Sequence, residues 1–310
     1  MKAVRFHSYG DSGVLVCEDT ARPVPGPGQV VVKVAGAAFN PLDVAIRAGY
    51  VRQVFPVALP HVPNYDVAGV ITEAGQGVNG WRAGHAVVAF LPVTAPGAAA
   101  EYAAVPAGVL AAAPRAVELA DAAALPSAGL TAWQSLFEHA RLTAGQSILI
   151  NGAGGAVGGY AVQLARQAGA TVTATASARS TGRIRSYGPD RIIDYTATPL
   201  PGALTGQQFD VVLNLVRTSP AETAQLAGLT ADSGAFVSTT FPDLEDAGRG
   251  VRVVSVVARS DAGQLAGLVA RVDGGDLRID VAQRRPLRDL AAVHDQAVAG
   301  QLPGKTVLIP

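Results

Sequence analysis

The sequence predicts an α/β protein built from a small antiparallel β-barrel domain and a doubly wound parallel sheet. Three observations predict it. The first 120 or so residues hold short β-branched runs broken by proline and glycine. From about residue 122, continuous apolar strands alternate with helical stretches. The chain then ends on Thr306-Val307-Leu308-Ile309, a strand with no helix after it, which reads as a return to the first domain. A chain of 310 residues fits about two domains better than one core. The expected organisation is residues 1–122 with 262–310, and 123–261 between them.

In order, Val14–Val16 and Gln29–Val34 are the first strands, set among Pro23, Pro25, Gly26, Pro27 and Gly28. Val67–Glu73 follows and is stopped by Gly75-Gln76-Gly77; His85–Phe90 comes after the turn at Asn79-Gly80. Irregular strands at this spacing suit a small barrel. The second pattern opens with Ile148-Leu149-Ile150, a glycine cluster and a helix over Val157–Gln167. A strand at Thr171–Thr175, a helix at Ser180–Tyr187, and strands at Arg191–Ile193 and Phe209–Asn214 come next. A helix at Ala221–Gly228 and strands at Gly234–Ser238 and Val251–Val257 complete the set. No repeat of about 20–50 residues is visible.

Composition excludes several function classes. Lys+Arg and Asp+Glu are 24 each, so no basic field exists to hold nucleic acid or an anionic membrane. The single cysteine, Cys17, rules out an intramolecular disulfide framework and a thiolate-rich zinc site, and it fits a reducing, cytoplasmic compartment. The N-terminus has no apolar run like that of a signal peptide, and no stretch of about 18 apolar residues lacks charge or turn residues.

The segment Ile148-Leu149-Ile150-Asn151-Gly152-Ala153-Gly154-Gly155-Ala156-Val157-Gly158 carries the chemistry. It has the form A-x-G-x-x-G between a strand and a helix. Small residues let the backbone approach a pyrophosphate, and the helix start offers unpaired N–H groups and a positive dipole end. The bland alternative is a tight turn without a ligand. Sites for NAD place an acidic residue about 20 residues on, to bind the ribose 2′-hydroxyl. Residues 169–189 contain no acid; they hold Ser177, Arg179, Arg183 and Arg185. A hydroxyl and a guanidinium suit a 2′-phosphate, so the expected cofactor is NADPH, with Ser177 and Arg179 the contacts and helix phase deciding between Arg183 and Arg185. The competing reading has Ser177 capping the next helix and the arginines in solvent.

Leu125-Pro126-Ser127-Ala128-Gly129-Leu130-Thr131-Ala132-Trp133, the Asn151–Gly158 turn and Ala176-Ser177-Ala178-Arg179 resemble the zinc-free quinone oxidoreductases, the ζ-crystallin-like branch of the medium-chain dehydrogenase/reductase superfamily. The resemblance spans nearly the whole chain. It includes Phe39-Asn40-Pro41-Leu42-Asp43, Tyr65-Asp66-Val67-Ala68-Gly69 and Pro303-Gly304-Lys305-Thr306-Val307. It implies a GroES-like barrel domain, a Rossmann domain, a cleft for NADPH, and a homodimer paired through the last Rossmann strand, here Val251–Val257. An exposed β-branched edge needs such protection. Ala156 stands where the family often has glycine.

At the three places where zinc-dependent relatives bind catalytic zinc, this chain has Asn40, Tyr65 and Ser127, none a good ligand beside thiolate or imidazole, so no metal is expected. His61 reads as a loop or surface histidine. Without a Lewis acid, conjugated acceptors are favoured over simple ketones, because the charge that hydride brings spreads onto oxygen. The expected substrate is a small-molecule quinone or enone. Asn40 is the candidate donor to nicotinamide or substrate oxygen, Tyr65 the candidate proton donor, and Tyr50 a second candidate lining the substrate. Thr131 is expected to face the nicotinamide. Asn214, Val237 and Ser238 end two Rossmann strands, where cofactors of doubly wound sheets sit. The bland readings are a turn at Asn40-Pro41, a helix over Val44–Ala48 capped by Asp43, and a packed Tyr65. Lys305 reads equally as a cleft residue or a surface lysine, and Asp121, Glu138 and His139 as solvated surface. The alternatives to a general quinone or enone reductase are a pathway-specific enoyl reductase and a non-catalytic NADPH-binding redox sensor.

Overall fold

The protein was analysed as a computed structural model that describes residues 1–198, 200–240, 244 and 247–310. It divides into two compact units, Met1–Ser127 with Ser260–Pro310, and Ala128–Arg259.

The first unit begins with the antiparallel pair β1 (Lys2–Phe6) and β2 (Leu15–Asp19). The long β3 (Gln29–Ala38) follows, in which Val30, Val31, Val32 and Val34 give way to small residues. Next comes α1 (Pro41–Arg47), with Asn40 as N-cap and Pro41 in the first turn, where a missing N–H costs nothing. This helix starts three residues earlier than the sequence suggested. Asp43 therefore does not precede it; it is the third helical residue, and its carboxylate reaches back to accept the Asn40 N–H at 2.8 Å. Strands β4 (Asp66–Ala74), β5 (Ala86–Phe90), β6 (Tyr102–Pro106) and β7 (Leu110–Ala112) complete this stretch, and α2 (Pro126–Trp133) opens the helical part.

The second unit alternates β8 (Ser147–Asn151), α3 (Ala156–Gln167), β9 (Thr171–Ala176), α4 (Ala178–Ser186), β10 (Arg191–Asp194), α5 (Leu200–Ala203), β11 (Phe209–Asn214), α6 (Pro220–Gly228), β12 (Thr230–Ser238) and β13 (Arg252–Ser255). All neighbours are parallel in the order β10-β9-β8-β11-β12-β13. In sequence numbering that is 3-2-1-4-5-6, the doubly wound order with its switch between β8 and β11. Its edge strand β13 is shorter than the Val251–Val257 run. Among the described residues it pairs only with β12, which ends at Ser238, and Ser238 is matched by Ser255.

The chain then returns to the first unit through α7 (Ala262–Asp273), β14 (Gln283–Pro286), α8 (Leu290–Val298) and β15 (Thr306–Ile309). The final strand inserts between β14 and β3, so the sheet runs β14-β15-β3-β4-β5-β7 with β6 also on β3. Phe6, Phe39, Leu287, Leu290, Val293 and Leu308 form the core under α1 and α8. Leu149, Phe209, Val212 and Phe236 form that of the second unit beneath β8, β11 and β12. Each fully buried side chain of this size contributes about 1.5–3 kcal/mol relative to its exposed state. No helix among the described residues is long and apolar enough to cross a membrane.

Candidate active site

The second unit supplies the nucleotide platform. Gly152 leaves β8 with φ +92°, a conformation side chains rarely adopt. A Cβ on Gly158 would lie 2.4 Å from the Gly152 carbonyl oxygen, so only glycine lets α3 start this close to the strand. Ala153 is buried against that contact, while Gly154, Ala156 and Val157 are half-buried and Gly155, the N-cap of α3, is exposed. The N–H groups at the start of α3 precede the helix's own i to i−4 bonds and face outward with the positive dipole end.

A side-chain network fixes this turn from below. The Thr175 hydroxyl accepts the Gly152 N–H at 2.8 Å and donates to Asn151 Oδ1 at 3.1 Å. Asn151 Nδ2 donates to Asn214 Oδ1 at 2.9 Å, and Asn214 Nδ2 to the Val216 carbonyl at 3.0 Å. Asn214 is thus fully buried and braces the strand ends at the switch point. Val237 and Ser238 are also fully buried, the Ser238 hydroxyl lying 3.0 Å from that of Thr240. Sequence reasoning missed Asn151 and Thr175; a polar residue at each C-terminal strand end was the available signal.

At the end of β9, Ser177 is the half-buried N-cap of α4, and the Ser180 hydroxyl accepts its N–H at 3.2 Å. That cap starts α4 two residues before the expected Ser180. Arg179 is exposed on the first turn. Arg183 donates to the carbonyl of Gly154, tying α4 to the glycine turn, and Arg185 points to the surface. Thr131 is half-buried on α2. The constricted turn, the helix start and this hydroxyl–guanidinium pair fit a nicotinamide dinucleotide.

The first unit holds a buried polar centre. Lys305 is 6% exposed. Its Nζ donates to Asn40 Oδ1 at 2.7 Å and lies 3.2 Å from Asp66 Oδ2. An ammonium can only donate, so it fixes the Asn40 amide with Oδ1 toward Lys305. Nδ2 then donates to Asp66 Oδ2 at 2.9 Å and to the Ala38 carbonyl at 3.3 Å, which commits both amide protons within the unit. Ser127 gives its backbone N–H to Asp66 Oδ1 at 2.8 Å and its hydroxyl to Asp66 Oδ2 at 2.6 Å. Asp66, on β4, thereby joins α1, α2 and the loop before β15. The structure brings Asn40, Ser127 and Lys305 together; Asp66 was noticed only as part of a motif.

Tyr65 is 8% exposed, with its ring 5.4 Å from that of Phe90. Burial, with the carboxylates of Asp43 and Asp66 nearby, raises its hydroxyl pKa well above the usual value, so it is protonated at neutral pH. Tyr50 stands apart at 83% exposed, on the turn after α1. His61 is not a surface residue: it is 4% exposed, edge-on to Phe6 at 5.3 Å, and burial lowers its pKa to about 4. Its backbone bridge to Phe6 draws it inward. Asp121 and Glu138 are ion-paired, with Arg284 and Arg259.

A catalytic zinc does not fit this centre. An amide whose oxygen already accepts an ammonium, a phenol and a hydroxyl bonded to a carboxylate are poor donors for zinc. A lysine cation also stands where a metal would need lone pairs. Among the described residues no group of three His, Cys, Asp or Glu side chains could hold a metal ion.

Comparison with known proteins agrees with both units. Residues 26–115 match the family described as the alcohol dehydrogenase GroES-like domain, and 187–308 the zinc-binding dehydrogenase family. A chloroplast envelope quinone oxidoreductase homolog of Arabidopsis thaliana is 32% identical over 100% of this chain and 98% of its own length. An NADPH-dependent alkenal/one oxidoreductase of the same plant is 38% identical over 70% of this chain and 57% of its own. The solved structure of the quinone oxidoreductase from Coxiella burnetii superposes with a TM-score of 0.92 and 28% identity, covering 100% of this chain and 99% of that one. The glycine turn on a 3-2-1-4-5-6 sheet, the GroES-like first unit and these full-length matches make the chain an oxidoreductase of the quinone oxidoreductase family, within the medium-chain dehydrogenase/reductase superfamily.

Proposed function

We propose that the protein is an NADPH-preferring, zinc-independent reductase of quinones and α,β-unsaturated carbonyls. The observation that carries the reading is the Lys305–Asn40–Asp66–Ser127 centre, whose donors and cation leave no ligand set for a Lewis acid. Unaided, a protein reduces most readily those acceptors that delocalise the incoming charge. The relatives named for quinones and alkenals support the same substrate class.

In this reading residues 152–158 and the start of α3 hold the pyrophosphate, and Ser177 with Arg179 hold the 2′-phosphate. Thr131 faces the nicotinamide, and Tyr50 borders the acceptor. NADPH supplies the hydride. Tyr65, kept protonated by burial, gives the balancing proton, and the Lys305 centre holds α1 and β4 in place beside it. The open edge of β13 pairs with a second copy, and the exposed lone cysteine suits a reducing cytoplasm.

The test is oxidation of NADPH and NADH by purified protein against 1,4-benzoquinone, 9,10-phenanthrenequinone, an alkenal and a cyclic enone, with and without chelator. Turnover that prefers NADPH and ignores the chelator is expected. Loss of activity on chelation, restored by zinc, would overturn the reading.

A further inference from the structure

A small cavity in the first unit is bounded by Asp43, His61, Asn64, Tyr65, Val93 and Ala95, among others. Its volume of about 10 Å³ is about the least that admits one water molecule. Two features fit a polar occupant. Asn64 is 1% exposed, yet its Oδ1 has no hydrogen-bond partner, although Nδ2 donates to the Ala38 carbonyl at 3.1 Å and lies 3.5 Å from Asp43 Oδ2. A buried acceptor left unmatched costs free energy, so its environment should include a donor. Asp43, in turn, accepts the N–H groups of Asn40 and Asn64 and still has lone pairs on the same cavity.

We propose that this cavity is a hydration site whose single water links Asp43 to the Tyr65 hydroxyl and returns the proton that Tyr65 gives to the substrate. The proposal rests on Tyr65 being the proton donor. Hydride addition places an electron pair on the carbonyl oxygen of the acceptor. The Tyr65 O–H bond breaks as the proton passes to that enolate. The tyrosinate takes a proton from the water, the water takes one from the Asp43 carboxyl, and solvent restores Asp43. One acceptor, one hydride and one proton give one reduced product. In these roles Asp43 is a relay and Asn64 positions the water through Oδ1.

Burial of the Asp43 carboxyl raises its pKa to about 7, against the opposing hydrogen bonds from Asn40 and Asn64, so it exchanges its proton near neutral pH. The charged and titratable groups facing it are Asp66 on β4, which favours the proton, and Lys305 beside β15, which opposes it. Tyr65 and His61 border the same cavity, both uncharged at neutral pH.

The test compares D43N, A95L and Y65F in steady-state enone reduction across pH. Replacing Ala95 with leucine fills the cavity without touching any hydrogen bond of Asp43, so it serves even where D43N fails to fold. Both D43N and A95L should lower kcat about tenfold with KM for NADPH unchanged. D43N should also abolish the fall in kcat above neutral pH, and A95L should enlarge the solvent deuterium isotope effect. A readout independent of turnover is the Asp43 carboxyl C=O stretch in pH-difference infrared spectra, which D43N should remove and A95L should shift. Wild-type kcat and pH profile in folded A95L, with Y65F impaired, would overturn the relay alone. Undiminished turnover in Y65F would remove the donor reading, and the relay with it.

Discussion

The chemistry of the first unit turns on one lysine. Lys305 is buried against Asp66, whose carboxylate is fully enclosed. Such a pair adds little over a well-packed apolar one, but removing one partner leaves a buried charge uncompensated, at about 3–5 kcal/mol. K305M should therefore lose stability of that order in urea unfolding. A loss below about 1 kcal/mol would mean that water reaches Asp66 and compensates it. In the second unit Arg179 is exposed, so its loss should leave the fold intact. A charge-assisted hydrogen bond contributes about 1.5–3 kcal/mol, so R179A should raise KM for NADPH about ten- to a hundredfold and leave KM for NADH unchanged. Equal effects on the two cofactors would show that Arg179 does not contact the 2′-phosphate. Arg183 differs, because its guanidinium is bonded to Gly154; R183A should loosen the turn and weaken both cofactors together.

At the scale of elements, the glycine turn makes two neighbouring positions unequal. A Cβ on Gly158 meets the backbone of Gly152 and Ala153 at 2.4 and 2.5 Å, and neither backbone atom can step aside without displacing α3 from β8. A Cβ on Gly155 meets only the Gly152 carbonyl oxygen at 3.5 Å, an ordinary contact, and its φ of −82° suits any residue. G158A should abolish NADPH binding in a fluorescence titration and lower the melting temperature. G155A should fold normally and lose affinity only as far as its methyl group crowds the phosphate. Matching affinities in the two variants would show that α3 can slide along the strand.

Over the whole molecule, the parallel sheet was legible because its central strands β8 and β11 are buried and carry short continuous apolar runs, and because the glycine turn marks the first crossover. The return of the last strand was legible from Thr306–Ile309 alone. The polar centre was less so. Lys305, Asp66 and Asn40 lie far from one another in sequence, and only pairing of β3 with both β4 and β15 makes them neighbours. The burial of His61 was missed for the same reason: nothing local announces its bridge to Phe6 on β1. That burial has a consequence for acid stability. His61 and His294 have pKa values lowered by burial to about 4 and about 3, and the nearby Arg47 charge adds to the second. As pH falls below the unfolded value of about 6.5, the unfolded chain takes up protons that the native state refuses, so stability falls with pH, down to about 4 for His61 and about 3 for His294. Asp43 acts in the opposite sense. Its native pKa of about 7 lies above the unfolded value, so it contributes stability that is complete below about pH 4 and lost as pH rises through 7. Two histidines outweigh one carboxyl, and the urea midpoint should drop between pH 7 and pH 4.5. H294F tests the origin of the drop. Both imidazole nitrogens lack hydrogen-bond partners and the ring already stacks edge-on against Phe39 at 5.1 Å, so phenylalanine forfeits no hydrogen bond. At pH 7 the variant should be as stable as the wild type or more so, and its midpoint should fall less on acidification. An unchanged pH slope would place the acid sensitivity elsewhere than in the pairing of α8 with α1.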